Sequence, residues 1–500
     1  MMGANKNNLE KLQILSLASR LSAMFVGLLQ SFFLFRLFSV HDYGVVQIAV
    51  AVGSALGIYQ HLGLASGSTR EIAASKDKNE VFKIFITALS IRYIITFPLA
   101  IGLFHYAEYI ALDKYNNAAL ILPLKIYALT LIVQGVQSML NSVLSGTKRF
   151  NALFTYQVAI AVASLVLYLP LVHFYGINGY FYAMFAHNFL GSVALAFIAL
   201  GPLRENLALP NFREFKYFFR ELFTISLSIY LVKIIYTLWE RSGTLILGLT
   251  ISPEAVAVFS AAFLFSKKII HISDAITDVN LPYLSEKYVN NIAEFQKAFS
   301  DNFNKVFVLI LFIGVSAVFW SKQLVLLFAS SKYSDALPLI LPFMFTFIFY
   351  SYLNIIKSSI LVPAKLVTQM IATFVILIGF GIGSYYGFLA FTDFSHVSSM
   401  TLGLLVGSTL ALLFAIYAIY LRLKFKIFTH DHYLLIFQAF LIGASQNAFN
   451  NNFLYKVILY LLYVLLAVIG INATKFFTVS QAFLVYKKIL AKFQSQKVGN

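Results

Sequence analysis

Stretches of about 20 apolar residues recur along the whole chain, and this repetition limits the fold more than any other feature. Each stretch can cross the roughly 30 Å hydrocarbon core of a membrane as an α-helix. Hydrophobic residues make up 60% of the chain and charged residues 11%, unlike a soluble domain. The sequence therefore predicts an all-α polytopic membrane protein with about fourteen transmembrane helices and no soluble catalytic domain. The predicted helices are residues 12–38, 44–66, 81–104, 118–140, 154–172, 178–200, 222–249, 255–276, 303–325, 336–358, 366–388, 398–420, 433–449 and 453–472.

Positive charge is concentrated in the loops on one side of the predicted membrane. With these bounds, 22 of the 37 Lys and Arg residues lie in loops or termini on the side of the N-terminus, whereas the opposite loops hold only Lys114 and Lys332, with Lys322 near the outer end of span 303–325. Because cytoplasmic loops carry such an excess, both termini are predicted to be cytoplasmic. Residues 475–497 predict a basic amphipathic helix on the anionic inner leaflet. The membrane thus accounts for the net charge of +17, and no nucleic-acid partner is expected.

The chain resembles itself at an offset of about 212–218 residues. The matching pairs are SVHDYGVVQIAVA (39–51) with ISPEAVAVFSAAF (251–263), KYNNAALILP (114–123) with KYSDALPLILP (332–342), and SVLSGTKRFN (142–151) with SILVPAKLVT (359–368). The third pair aligns Lys148 with Lys365. Six spans per repeat give both halves the same orientation, which predicts two six-helix lobes in parallel repeat, at 1–210 and 211–425. Residues 426–500 then hold two extra helices and the tail.

A family resemblance lies in LFSVHDYGVVQIAVAVGSALGIYQHLGLASGSTREIAA (37–74), LILGLTISPEAVAVFSAA (245–262), the Lys332–Tyr333 turn and LSGTKRF (144–150). In these segments the chain resembles the polysaccharide-biosynthesis or O-antigen flippases (Wzx-like) of the multidrug/oligosaccharidyl-lipid/polysaccharide (MOP) exporter superfamily. The resemblance implies a fold like that of the multidrug (MATE) exporters. It identifies the superfamily better than the cargo, so O-antigen, capsule and other glycans all stay open.

The resemblance also implies a function. Such proteins move undecaprenyl-pyrophosphate-linked oligosaccharide units across the bacterial cytoplasmic (inner) membrane, here by alternating access through a central cavity. The chain would be a transporter and not an enzyme, with no cofactor and no metal site, driven by an H⁺ or Na⁺ gradient or the membrane potential. Its partners would be the lipid-linked oligosaccharide and membrane lipids, with other polysaccharide-assembly membrane proteins as candidates. A monomer is expected.

Charged residues inside predicted spans are the candidate site, because each costs about 2.5–3.5 kcal/mol to insert at a helix centre. The candidates for an anion-binding cationic cavity are Arg20, Arg92, Lys125, Lys233 and Arg241. Arginine can hold a pyrophosphate through a bidentate fork and lysine through a point charge. The acid Glu240 is a candidate for ion coupling.

Each candidate has a structural alternative. The cations could be held by backbone carbonyls or by an ion pair, and Glu240 could pair with Lys233 or Arg241. With Glu240 the one acid at mid-span, pairing neutralises at most one of these cations, which favours the cationic cavity. Tyr230, Tyr236 and Trp239 are candidates for contact with sugars, with aromatic packing as the alternative. Arg36 and Lys456 lie near span ends, where the headgroups are within reach.

Two other functions remain as alternatives. A multidrug antiporter of the same superfamily would share the fold, but a cationic drug needs carboxylates in its cavity. A membrane-embedded glycan polymerase or ligase would place its chemistry in a large outer loop, and the outward loops here are short. The balance of charge in the spans favours the flippase.

Overall fold

The computed structural model describes residues 6–75, 77–206, 208–274, 277, 284, 287–288, 291–445 and 453–474. The side chains of 6–21, 205–206, 223–229, 445, 453 and 470–474 lie outside this description. Within the described residues the chain is helical and contains no strand. The helices are α1 (Lys6–Leu37), α2 (Val40–Gly57), α3 (Leu64–Ala74), α4 (Lys78–Tyr109), α5 (Ile121–Gly146), α6 (Phe150–Leu200), α7 (Phe212–Thr250), α8 (Pro253–Lys267), α9 (Ile292–Phe319), α10 (Ser321–Phe328), α11 (Leu337–Ile356), α12 (Val367–Phe391), α13 (His396–Leu423), α14 (His430–Ser445) and α15 (Phe453–Thr474).

Short polar side chains begin several of these helices. The Asp77 carboxylate accepts a hydrogen bond from the Asn79 backbone N–H at the start of α4 (3.1 Å). At the start of α7, Asn211 and Glu214 form a capping box, in which each side chain accepts from the other residue's backbone N–H at 2.9 Å. These caps satisfy backbone donors that the first helical turn leaves free. The polar breaks between the apolar runs therefore set where the helices start.

The chain is a multi-pass membrane protein. Among the described residues, nine helical segments are long and apolar enough to cross a membrane. Large apolar side chains such as those of Val166, Phe174 and Phe391 are exposed along them, as a lipid-facing surface requires. Each of the fourteen predicted spans overlaps a helix, although 44–66 crosses the break between α2 and α3 and 303–325 crosses the break between α9 and α10. The all-α polytopic fold is confirmed.

Helix α6 corresponds to two predicted spans. Its 51 residues would extend about 76 Å if straight, more than twice the hydrocarbon thickness. At Gly176 the backbone leaves the helical region (φ 55°, ψ −131°). The backbones of Gly179 and Leu171 are in close contact, because a Cβ atom added to Gly179 would overlap the Leu171 carbonyl oxygen. In a straight helix, two residues eight positions apart would be about 12 Å apart. The chain therefore folds back here, which separates the predicted spans 154–172 and 178–200.

The chain divides into two compact units. The first unit is Met1–Ala261, Val325–Ala336 and Phe391–Met400, and the second unit is Ala262–Leu324, Leu337–Ala390 and Thr401–Asn500. Helix α7 belongs to the first unit, although its sequence lies in the second predicted lobe. A packing unit and a sequence repeat are different properties, so the lobe boundaries stay a prediction.

Each unit has its own apolar core. In the first unit, Ile84 and Phe85 of α4 pack with Leu140 and Leu144 of α5 and with Leu195 of α6, all buried.

In the second unit, the rings of Phe307 and Tyr352 stack at 4.7 Å, and the Tyr352 hydroxyl donates to the Phe307 carbonyl (2.9 Å). The ring of Phe428 packs against both.

The two segments aligned by the internal repeat have the same backbone geometry. Lys148 and Lys365, which the alignment pairs, both have left-handed φ angles, 57° and 54°. The residue after each lysine donates its N–H to a carbonyl five residues back, Arg149 to Leu144 and Leu366 to Leu361, both at 2.9 Å. The lysine N–H groups donate three residues back, both at 3.1 Å. This matched helix ending is structural support for the repeat.

Candidate functional site

A stripe of uncharged polar side chains runs along the second half of α5. Its members recur at intervals of three and four residues, so they lie on one face of the helix. They are Gln134, Gln137, Ser138, Asn141, Ser142 and Ser145. A polar face inside an apolar segment needs a polar partner or water, because amides and hydroxyls are costly to bury without hydrogen bonds.

The stripe faces a cavity of about 660 Å³ within the first unit, termed the polar cavity. Its volume lies in the ~300–1,000 Å³ range of small-molecule sites. The other lining residues come from α3, from the turn before it and from α6. They are His61, Ala65, Ser66, Thr69 and Asn188. None of these described lining residues is Asp, Glu, Lys or Arg, so the wall is polar but uncharged apart from the titratable His61.

The hydrogen bonds of the lining residues leave part of their capacity unused. The Gln137 amide donates to the Tyr156 hydroxyl (2.8 Å) and the Asn188 amide donates to the Met184 carbonyl (2.7 Å). The Asn141 Oδ1 atom is buried and has no partner among the described residues. An acceptor left in this state costs free energy, so the cavity favours a ligand or water that donates to it.

Arg92, in the middle of α4, is fully buried. Its Nε donates to Gln60 Oε1 (3.4 Å), which also accepts from the Thr96 hydroxyl (3.1 Å). Its Nη1 and Nη2 atoms have no hydrogen-bond partner among the described residues. A buried guanidinium without a carboxylate partner is expensive, so this geometry favours an anion as the missing acceptor.

Two further groups lie close to Arg92. The His61 ring interacts electrostatically with both Arg92 and Lys233, and Lys233 interacts with Arg92. Lys233 is exposed on α7, and it has no ion-pair or hydrogen-bond partner in the described part of the chain. Arg92 and Lys233, termed the cationic pair, are thus within electrostatic range of each other, and His61, which lines the polar cavity, is within range of both.

Arg241 and Glu240 lie farther along α7. Arg241 follows Lys233 by eight residues, about 12 Å along the helix. Its Nη2 lies 3.7 Å from Glu240 Oε1, and its charge acts on Tyr127 and Tyr180. The structure thus gives Glu240 an ion-pair partner, and the proposed ion-coupling role of Glu240 stays a prediction.

Of the other two predicted cations, Lys125 is not brought to the cationic pair. The Lys125 ammonium lies 5.6 Å from the centre of the Phe104 ring. Lys125 is ten residues, about 15 Å, before Gly135, the α5 residue that faces the Arg92 side chain. The backbone of Arg20 is part of α1, and its side chain lies outside the description.

Two of the aromatic candidates for sugar contact pack inside the first unit. Trp239 is fully buried, and the Tyr230 hydroxyl donates to the Tyr59 carbonyl (2.9 Å). This packing is the alternative that the sequence left open. Neither ring lines the polar cavity.

The two cations near span ends are also held by protein. Arg36 donates to the Leu327 and Phe328 carbonyls at the end of α10 (2.8 and 3.0 Å). Lys456 is buried and donates to Gln323 Oε1 (3.1 Å), so its expected reach to the headgroups is wrong.

The polar cavity was not predicted from the sequence. Its signal was present, because Gln, Ser and Asn recur on one helical face of a predicted span at residues 134–145. A criterion of charge alone does not detect it, because none of these side chains is charged. A periodic run of uncharged polar side chains inside an apolar segment is thus a second kind of site signal.

Comparisons with known proteins agree with this fold. The family model for "Polysaccharide biosynthesis protein" matches residues 33–338, more than half of the chain. No curated protein matches the chain in sequence.

Solved structures match over most of their own length. The lipid II flippase MurJ in an inward closed conformation has a TM-score of 0.71 at 13% identity, covering 93% of this chain and 98% of that one. An inward-facing multidrug resistance MATE family transporter of the MOP superfamily has a TM-score of 0.63 at 14% identity, covering 82% and 98%. A MOP superfamily transporter from Pyrococcus furiosus, described as having a binding pocket of reverse polarity, has a TM-score of 0.60 at 15% identity, covering 83% and 96%. These likenesses show a shared fold.

Proposed function

Because the chain belongs to the polysaccharide biosynthesis protein family, we propose that it is a flippase for undecaprenyl-pyrophosphate-linked oligosaccharides. It would carry these lipids across the bacterial inner membrane by alternating access. The observation that carries the proposal is the buried Arg92, whose Nη1 and Nη2 atoms have no acceptor among the described residues. A pyrophosphate supplies several charged oxygens with the geometry that a guanidinium fork binds.

The charge near Arg92 favours an anionic cargo over a cationic drug. Lys233 adds a second positive charge, and the His61 ring adds no negative charge. Glu240 is held by Arg241, so its charge is partly neutralised. A cationic drug in this environment would meet repulsion from both members of the cationic pair.

The second unit contains a mainly apolar groove of its own. A cavity of about 530 Å³ lies between α9, α14 and α15. Its walls include Leu311, Phe312, Leu435 and Leu466. An apolar wall of this kind fits a hydrocarbon chain, such as that of a lipid.

The test is a flipping assay in reconstituted vesicles. Two cargoes are measured separately, an undecaprenyl-pyrophosphate oligosaccharide and a cationic dye. The wild-type protein is expected to move the lipid and not the dye, and Arg92→Gln or Lys233→Gln to slow lipid flipping by tenfold or more. Arg36→Gln is the matched control, because Arg36 binds helix-end carbonyls and is expected to leave flipping unchanged.

Two results would contradict the proposal. Movement of the dye without the lipid would identify a drug exporter whose buried charges are structural. Full lipid flipping by the Arg92→Gln, Lys233→Gln double variant would show that the cationic pair does not bind the cargo.

A further inference from the structure

The polar cavity has a chemistry that neither a pyrophosphate nor a prenyl chain requires. Amides and hydroxyls both donate and accept hydrogen bonds, as do the hydroxyl groups of a sugar. An anion would favour cations in the wall, and a hydrocarbon would favour apolar side chains. Ten of the eleven lining residues are polar, with Ala65 as the exception. The wall therefore fits a neutral polyhydroxylated ligand.

The polar cavity adjoins the cationic pair. A Cβ on Gly135 would lie 3.4 Å from Arg92 Nε, and Gly135 is next to Gln134, a lining residue. His61 lines the cavity and interacts with Arg92 and Lys233. A ligand with an anionic group at the cationic pair could thus extend its neutral part into the cavity without leaving the first unit.

The packing beside the cavity depends on a small residue. A Cβ on Gly191 of α6 would lie 2.8 Å from the Tyr156 hydroxyl and 3.0 Å from Gln137 Nε2. Glycine at this position lets the Gln137–Tyr156 hydrogen bond form at the cavity edge. That bond orients the Gln137 amide, so its carbonyl oxygen is available to a donor. Asn141 Oδ1 is a second acceptor that no described residue fills.

We propose that the polar cavity is a glycan subsite, which binds the sugars attached to the pyrophosphate that the cationic pair holds. The inference rests on the proposed function and goes further, because it separates recognition of the glycan from recognition of the pyrophosphate. Gln134, Gln137, Ser138 and Asn141 supply the hydrogen bonds to sugar hydroxyls. Under the predicted orientation, the C-terminal ends of α3 and α5 face the cytoplasm, where the cargo is loaded.

The absence of cysteine from the chain allows a direct test. A single cysteine is placed in the cavity by Ser138→Cys, or on the exposed loop before α13 by the control Ser395→Cys. Each variant, in nanodiscs, reacts with a hydrophilic maleimide in the presence of one of two probes. One probe is the undecaprenyl-pyrophosphate oligosaccharide extracted from the membranes of cells that naturally make this protein. The other is undecaprenyl pyrophosphate without sugar.

The subsite predicts selective protection. The oligosaccharide lipid should slow labelling of Ser138→Cys by about tenfold, as expected for occupancy near 90%. The sugar-free lipid should change this rate less than twofold, and neither probe should affect Ser395→Cys. Equal protection by both probes, or protection by neither although both bind, would overturn the subsite.

Affinity measurements separate this inference from the proposed function. Ser138→Phe, which fills the cavity, is compared with Ser395→Phe, which adds the same ring to an exposed loop. Ser138→Phe should weaken binding of the oligosaccharide lipid by about tenfold and leave binding of the sugar-free lipid intact. Arg92→Gln should weaken both.

The remaining outcomes are also decisive. Wild-type protein that binds neither probe would contradict the proposed function and the subsite together. Wild-type binding of both probes, with Ser138→Phe affecting both equally or neither, would overturn the subsite alone and leave the flippase proposal standing.

Discussion

Each unit contains polar side chains inside apolar helices, but the two regions satisfy them differently. In the second unit, the Asn354 amide donates to Asp274 Oδ1 (2.8 Å) and to the Ser273 hydroxyl (3.2 Å). Lys357 donates to Asn354 Oδ1 (2.7 Å). This polar cluster holds one cation and one carboxylate, linked through a single amide.

In the first unit, the polar cavity and the cationic pair remain incomplete. Arg92 has two guanidinium nitrogens without a partner among the described residues, and Asn141 Oδ1 is in the same state. Polar side chains thus form a closed network in the second unit and line an open cavity in the first. A polar group in an apolar segment is structural where its neighbours satisfy it, and a site candidate where they leave space and unused donors.

The first prediction tests the closed network. Lys357→Gln removes a cation that Asp274 stabilises, so it should lower the free energy of unfolding by about 2 kcal/mol. Thermal unfolding of the purified protein in detergent measures this change. Unchanged stability would mean that the cluster does not hold the second unit together.

The second prediction applies the same kind of substitution to the open region. Arg92→Gln removes a buried charge that lacks a carboxylate partner, so it should raise stability by about 1 kcal/mol while it impairs cargo binding. The same unfolding assay measures it. Destabilisation as large as that of Lys357→Gln would show that the two regions are alike and that Arg92 is structural.

The third prediction compares the matched helix ends of the two units. Lys148→Gly and Lys365→Gly should each raise stability by about 1 kcal/mol, because glycine adopts a positive φ without the Cβ penalty. The control is Lys305→Gly inside α9, which should be destabilising by about 1 kcal/mol. Opposite signs for the two repeat positions would argue against their equivalence.

The smallest predicted effect concerns the Lys83–Glu214 ion pair of the first unit, 2.6 Å long and partly exposed. The Lys83 hydrogen bond, with a backbone bond from Asn211, holds the pKa of Glu214 below its usual value. The pair therefore adds stability above the unfolded-state pKa of Glu214, and this stability is lost as the pH falls through the lowered folded-state pKa.

The measurement is thermal unfolding of the wild-type protein and of Glu214→Gln as a function of pH. A small difference is expected at pH 7, closing below about pH 4, where unfolded-state glutamate is protonated. Glutamine keeps the capacity to cap α7, so the comparison isolates the charge. A difference that persists at pH 3 would contradict the ion-pair explanation.

Much of the fold follows from the sequence because membrane helices carry a strong signal. Twenty apolar residues must be helical in lipid, where every backbone group needs an internal partner. Lys148 and Lys365 were paired from sequence, and their backbones match. The sequence predicted a break between spans at Gly176. It did not predict that Gly179 contacts Leu171, because that contact depends on how the chain folds back.

The candidate site was predictable only in part. Arg92 and Lys233 were singled out because charge in a span is rare, and the structure brings them together. Lys125 was predicted as a fifth candidate nearer the outer surface, and residue type does not show whether a ring such as Phe104 lies over its ammonium. The pairing of Glu240 with its neighbour Arg241, and of Lys456 with the distant Gln323, likewise depended on packing.

The most direct test of the central claim is the affinity of the protein in nanodiscs for sugar-free undecaprenyl pyrophosphate. The cationic pair predicts saturable binding by the wild-type protein and by Arg36→Gln. The Arg92→Gln, Lys233→Gln double variant should bind about 100-fold more weakly, since each lost charge-assisted contact is worth roughly tenfold or more. Wild-type affinity in the double variant would contradict the assignment of these two residues to the pyrophosphate.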